Sequence, residues 1–125
     1  MSFSNYLENK LLDHTFRATD YAEPATVYLA LYTTNPGEGN TGTEVTGGSY
    51  ARTATAFGAA ASGSMANTGI ETFTNMPAAT VTHFAILDAL TVGNLLAYGT
   101  LNSNIIVTAG SEIEFGIGDI TISLD

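Results

Sequence analysis

Two histidines and a few acidic residues are the side chains best suited to chemistry in this chain. His83 lies five residues before Asp88, and an imidazole beside a carboxylate can act as a general base in a small hydrolase or lyase. A histidine at a sheet face or a subunit contact is the competing interpretation, and we favour it. His14 lies in a separate segment, so a zinc site would require both histidines to meet at a carboxylate. We expect no metal and no cofactor.

A second group of acids lies near the end of the chain. Glu112 and Glu114 are two residues apart and share one face of a predicted strand, and Asp119 follows the next turn. Paired carboxylates can cleave glycosides or bind calcium, but a solvated strand face accounts for them equally well. The sequence contains no Gly-x-Ser-x-Gly motif, and its one lysine, Lys10, does not follow the glycines of residues 37–48. We therefore predict a protein that is not an enzyme.

Composition limits the partners of the chain. Its 125 residues fit a single domain, 1–125, with 45% hydrophobic residues to form a core. Three basic residues stand against twelve acidic ones, which gives a net charge of −9 and argues against binding to nucleic acid or to an anionic membrane. There is no cysteine, and no apolar run has the length of a signal peptide core or a membrane span.

The elements that position these residues begin with one helix. Apolar residues recur every three to four positions from Phe3 to His14, with Leu12 and Phe16 beside that stripe. This spacing predicts an amphipathic helix over residues 4–17. Asn5 followed by Glu8 resembles a capping box, which would place the start of the helix at Asn5.

Most of the remaining chain has the two-residue alternation of strands, broken by turns rich in glycine, serine and asparagine. The most hydrophobic segment, 25–33, is expected to be a central strand. Eight or nine strands at this spacing predict an all-β fold, an antiparallel β-sandwich or jelly-roll-like domain with one short N-terminal α-helix. The predicted strands are 25–33, 50–57, 64–67, 70–73, 80–88, 95–101, 105–108, 112–115 and 119–124.

Residues 35–48 are rich in glycine, threonine and asparagine and contain a proline. The segment lacks large side chains that would pack, so we expect a long surface loop that is available for binding.

Six tyrosines are present, and several lie in or beside predicted strands. Tyrosine rings are suited either to stacking on sugars or to the rim of a subunit interface, and we favour the interface. The candidate interface residues are Tyr28, Tyr32, Tyr50, Arg52, His83 and Tyr98.

Several stretches resemble small structural proteins of tailed bacteriophages, a family whose members are labelled tail-fibre or head decoration proteins. These stretches are residues 2–17, 27–33, 47–52, 82–88, 93–101 and 122–125. They are packing motifs, so the resemblance implies a virion component but transfers no active-site residue.

Between the two labels, a chain without repeats suits a capsid decoration (cement) protein that bridges coat subunits better than a fibre shaft. The expected partners are the major capsid protein or other virion proteins, and further copies of the chain, with a trimer as the expected symmetry. The expected location is the virion, after synthesis in the host cytoplasm. The alternative is a tail-fibre or tail-tip module that binds host glycan, through a tyrosine, asparagine and aspartate cluster in residues 35–48.

Overall fold

The computed structural model describes residues 1–124 and contains nine strands and one helix. The all-β fold with a single N-terminal helix is confirmed, whereas the jelly-roll description stays a prediction. In chain order the elements are β1 Ser2–Phe3, α1 Asn5–Arg17, β2 Val27–Tyr32, β3 Thr53–Thr55, β4 Ser64–Ala66, β5 Glu71–Phe73, β6 Ala79–Leu87, β7 Leu95–Val107, β8 Ile113–Phe115 and β9 Thr121–Ser123.

Helix α1 lies within the predicted range 4–17, but its N-cap is one residue before the cap that the sequence predicts. The N-cap is Ser4, whose hydroxyl accepts a hydrogen bond from the Leu7 N–H at 3.2 Å, so the capping box predicted at Asn5 is wrong. The buried Ser4 hydroxyl also donates to the carbonyl of Leu95, which anchors the helix start to β7. Within residues 1–124, no helix has the length and apolar character needed to cross a membrane.

The main sheet has five antiparallel strands in the order β1-β7-β6-β2-β3. Strand β2 is an interior strand, as its hydrophobicity predicts, but the centre of the sheet is β6. Leu29 and Leu31 of β2 enter the large core, while Ala30 and Tyr32 join a smaller cluster on the opposite face. Both faces of this sheet are therefore covered along β2.

Strand β7 differs most from the prediction. The sequence suggested two strands, 95–101 and 105–108, separated by the polar residues Asn102, Ser103 and Asn104. They instead continue one 13-residue strand, and the register between β6 and β7 shifts where Val81 pairs with Ile105 but His83 pairs with Thr100. The polar residues are accommodated in a bulge, where they face solvent instead of breaking the strand.

Two small antiparallel sheets, β4-β9 and β5-β8, complete the fold. Phe73 of β5 and Phe115 of β8 meet edge to face with ring centroids 6.3 Å apart, and both belong to the core that the five-stranded sheet shares. The core therefore lies between the main sheet and the β5-β8 pair, which is the layered packing of a sandwich.

The connection between β2 and β3 contains the predicted loop 35–48, but it is not devoid of packing residues. Val45 is buried in the main core and Pro36 is fully buried. The Val45 N–H donates to the Leu31 carbonyl at 2.9 Å, so the loop runs back along β2. The expectation that this segment lacks side chains to pack is wrong.

Candidate interaction surfaces

The most elaborate polar site in the fold is built around Arg52. Its guanidinium donates to both carboxylate oxygens of Glu44, from Nε at 2.9 Å and from Nη2 at 2.8 Å. Nη1 donates to the carbonyls of Ala89 and Val92, each at 2.8 Å. The hydrogen bonds from Arg52 to Glu44 raise the pKa of the guanidinium, so Arg52 stays charged. One side chain thus joins loop 35–48 to the loop between β6 and β7.

Tyr50 extends this cluster to the main sheet. Its hydroxyl donates to Glu44 Oε1 at 2.8 Å and accepts from the Leu31 N–H at 3.0 Å. Its ring stacks on Phe73 with centroids 5.8 Å apart. Burial raises the pKa of the Tyr50 phenol well above its usual range, because the charged phenolate would lose hydration.

Tyr32 holds the same loop at a second point. Its hydroxyl donates to Asn40 Oδ1 at 2.9 Å, and the residue as a whole is buried. Burial is also the main cause of the raised pKa of this phenol. Tyr32, Tyr50 and Arg52, three of the six predicted interface residues, therefore make contacts within the chain.

Glu44, the residue that joins Arg52 and Tyr50 in this cluster, is not among the residues predicted from the sequence. It lies in the glycine-rich loop that was expected to face solvent, and it pairs with Tyr32 in an isolated β-bridge. The sequence offers one signal for Glu44: it is a carboxylate in a chain with two arginines. That signal does not identify which arginine it pairs with.

The other three predicted interface residues, Tyr28, His83 and Tyr98, are half-buried on one face of the main sheet. Tyr98 packs beside Ala30 and Ala85, and His83 pairs across the strands with Tyr32. The small alanines leave room for the rings to lie over them. An interface role for this tyrosine face stays a prediction.

The residues that suggested catalysis have structural partners. Asp88 accepts from the backbone and side-chain nitrogens of Asn94, at 2.7 and 2.8 Å, and so closes the loop before β7. Asp119 accepts from the Gly116 N–H at 2.8 Å and closes another turn. The His83 ring contacts the Thr82 hydroxyl at 2.7 Å, while His14 contacts the Thr19 carbonyl at the end of α1.

Potential metal ligands are dispersed. In the part of the chain that the structure describes, no group of three or more histidine or acidic side chains is placed to hold an ion. Glu112 and Glu114 are both exposed, and Glu114 points away from the core between the buried Ile113 and Phe115. This alternation is what a strand with one solvated face produces.

A polar cavity of about 330 Å³ lies beneath the bulge of β7. Its rim carries Asn102, Ser103 and Asp119, and its floor includes Phe84 and Phe115. The volume is at the lower end of the range for small-molecule sites, which is roughly 300–1,000 Å³. This site was not predicted, because Asn102 and Ser103 lie between two predicted strands and were assigned no role.

An apolar groove of about 770 Å³ runs between helix α1 and the two ends of the described chain. We call it the helix groove. Its nine lining residues are Met1, Phe3, Glu8, Leu11, Leu12, Thr15, Phe16, Ser123 and Leu124. The sequence signal for this groove is the pair Leu12 and Phe16, two large apolar residues that lie outside the main apolar stripe of the helix.

A comparison with protein families relates the chain to known proteins. A family model described as podophage GP4 fiber I protein gp80 matches residues 2–123. This range includes helix α1 and all the strands from β1 to β9, so the match concerns the whole domain. No curated protein sequence matches the chain.

Proposed function

We propose that this chain, which belongs to the podophage GP4 fiber I protein gp80 family, is a structural subunit of a podophage tail fibre. The family match over residues 2–123 is the observation that carries the proposal. A fibre family also supports a structural rather than a catalytic role. The capsid decoration role that the sequence analysis preferred gives way to its fibre alternative, since the family is described by a fibre protein.

The internal construction of the domain supports a structural role. Loops in surface positions are usually mobile, yet here Arg52 and Tyr50 bind loop 35–48 to the main sheet and to the loop before β7. A domain whose loops are fixed transmits force between its neighbours without local unfolding. We therefore expect the chain to be a rigid element that contacts other virion proteins and further copies of itself.

Particles made without this protein provide the test. A stop codon early in the reading frame, with the protein supplied from a plasmid as the control, should remove density from the fibres in cryo-electron microscopy. Capsids of the same particles should rupture at an unchanged temperature. Density lost from the capsid surface, together with a lower rupture temperature, would instead establish decoration and overturn the fibre proposal.

The cavity beneath the β7 bulge favours glycan binding as a second function of the same subunit. Amide, hydroxyl and carboxylate groups surround an aromatic floor, and no cationic side chain lines the cavity. Such a set suits neutral hydroxylated ligands, which hydrogen bond to Asn102 or Asp119 and pack on a ring edge. Loop 35–48, the glycan site expected from sequence, is largely committed to contacts within the chain.

A glycan array tests this second function. The intact chain should bind a limited set of saccharides, and Asn102→Ala should weaken that binding at least tenfold. Asn104→Ala is the matched control, because Asn104 lies on the same strand but does not line the cavity. Binding that survives Asn102→Ala, or no binding at all, excludes the cavity as a glycan site.

A further inference from the structure

The helix groove exposes large apolar side chains that the fold itself does not use. Phe16 is 78% exposed and Leu12 is 56% exposed, and helix α1 contains no fully buried residue. Met1 and Leu124 are also exposed on the same groove. Contiguous exposed apolar surface of this kind is uncommon on a monomer and marks sites of association.

The groove combines projecting and recessed apolar surface in one patch. Leu12 and Phe16 project one helical turn apart, while Phe3 and Leu11 are half-buried beside them and belong to the recess. A patch that carries both shapes offers the projections and the recess that a contact with its own copy needs. Self-complementarity of a single patch is the requirement for a two-fold interface between identical chains.

The distribution of charge points to the same occupant. Two copies of a chain with a net charge of −9 repel one another, so they can meet only where charge is low. Helix α1 carries Glu8 and Asp13 against Lys10 and Arg17, so its charges cancel and the entire net charge lies outside it. Among the side chains of residues 1–124 that line the groove, Glu8 carries the one charge.

We propose that the helix groove is an interface between copies of this chain, in which Leu12 and Phe16 of one copy enter the groove of the other. The inference deepens the proposed fibre function, because it names the surface through which subunits join, and its biological role rests on that function. Removal of apolar surface from water stabilises the contact. Repulsion between the acidic parts of the two chains, which lie outside helix α1, opposes it.

Sedimentation equilibrium of the full chain tests the interface without reference to the virion. The chain should associate in a concentration-dependent way, and Phe16→Ser should raise the dissociation constant at least tenfold. Ile106→Ser is the matched control, since Ile106 is 81% exposed on β7 and lies outside the groove. Far-UV circular dichroism of each variant verifies that the fold is retained. A monomeric wild-type chain, or equal effects of the two substitutions, would overturn the proposal.

Salt separates self-association from docking of a different partner. Screening reduces repulsion between two acidic chains, and the Debye length shortens roughly threefold as salt rises from about 50 to about 500 mM, so the self-association should strengthen over that range. A basic amphipathic segment attracted to Glu8 would instead dissociate as salt rises. Association that weakens with salt therefore contradicts an interface between copies.

A single cysteine gives a second test that does not depend on weakening the fold. The chain contains no cysteine, so Leu12→Cys introduces one thiol in the middle of the patch. Mild oxidation should link Leu12→Cys chains into covalent pairs faster than Ile106→Cys chains at the same concentration. Equal rates would count against the interface. Because these tests use the purified chain, their failure leaves the fibre localisation to be decided separately on particles.

Discussion

Arg52 and Glu44 form a two-pronged ion pair, with both carboxylate oxygens bound by the same guanidinium. The Arg52 side chain is 8% exposed and the Glu44 side chain 22% exposed. The only other ion pair in the described chain, Arg17 with Asp13, has side chains 72% and 42% exposed. The two pairs therefore offer a direct comparison of a shielded and a solvated salt bridge.

We expect Arg52→Ala to lower the free energy of unfolding by about 3 kcal/mol, because it leaves Glu44 without its counter-charge in a shielded position. The carbonyls of Ala89 and Val92 lose their donor as well. Arg17→Ala is the control and should change the free energy of unfolding by less than about 0.5 kcal/mol. Urea unfolding measures the free energy of unfolding of both variants. Similar losses of stability in the two variants would show that the Arg52 pair does not stabilise the loops.

The buried phenol of Tyr50 predicts a loss of stability in alkali. Its pKa is raised in the folded chain, whereas tyrosines of the unfolded chain ionise near pH 10. The folded state therefore keeps a proton that the unfolded state releases, so the stabilisation is complete below about pH 10 and declines above it. One such group contributes a slope of about 1.4 kcal/mol per pH unit.

Tyr50→Phe isolates this contribution. At pH 7 the variant should be less stable than wild type by about 1–2 kcal/mol, because the Leu31 N–H loses its acceptor and Glu44 loses a donor. Above pH 10 the difference should narrow, since phenylalanine cannot ionise. Urea unfolding between pH 7 and 11.5 measures the difference, and a constant difference across that range would contradict the assignment.

Asn67 is a second buried polar residue that joins distant parts of the chain. Its amide nitrogen donates to the carbonyls of Gly69 and Gly116 at 2.7 and 3.0 Å, and its Oδ1 accepts from the Ile120 N–H at 2.9 Å. Asn67→Ala should lower the free energy of unfolding by about 3 kcal/mol, because three backbone groups lose their partners.

Thermal unfolding of Asn67→Ala should show a Tm lower by roughly 10 °C. Asn104→Ala, at an exposed position, is the control and should leave the Tm within about 2 °C of wild type. A small change in the Tm of Asn67→Ala would mean that water replaces the hydrogen bonds of the lost side chain.

Substitutions at the start of helix α1 distinguish the observed N-cap, Ser4, from the N-cap that the sequence suggested, Asn5. Ser4→Ala removes both the acceptor for the Leu7 N–H and the donor to the Leu95 carbonyl, and should cost about 1–2 kcal/mol. Asn5→Ala should cost less than about 0.5 kcal/mol, since Asn5 already lies inside the helix. Urea unfolding followed by circular dichroism compares them, and the reverse order would restore the cap at Asn5.

Local patterns in the sequence were sufficient for most of the secondary structure. The spacing of Leu7 and Leu11 predicts α1, and the alternation around Leu29 and Leu31 predicts β2, because each pattern reports which side of a single element faces the core. Composition likewise argues against partners that require positive charge, and this stays a prediction. The prediction failed at Asn102 to Asn104, where pairing with β6 supports a bulge in a segment that alone resembles a turn.

Only the tertiary structure decided which side chains meet. Glu44 and Arg52 are brought together by the path of loop 35–48 along β2, and Asn67 meets Gly116 across 49 residues of chain. The helix groove likewise exists because Leu124 returns to the side of α1 that carries Phe16. Such contacts depend on the packing of elements that are distant in sequence, so the residue pattern within one element cannot predict them.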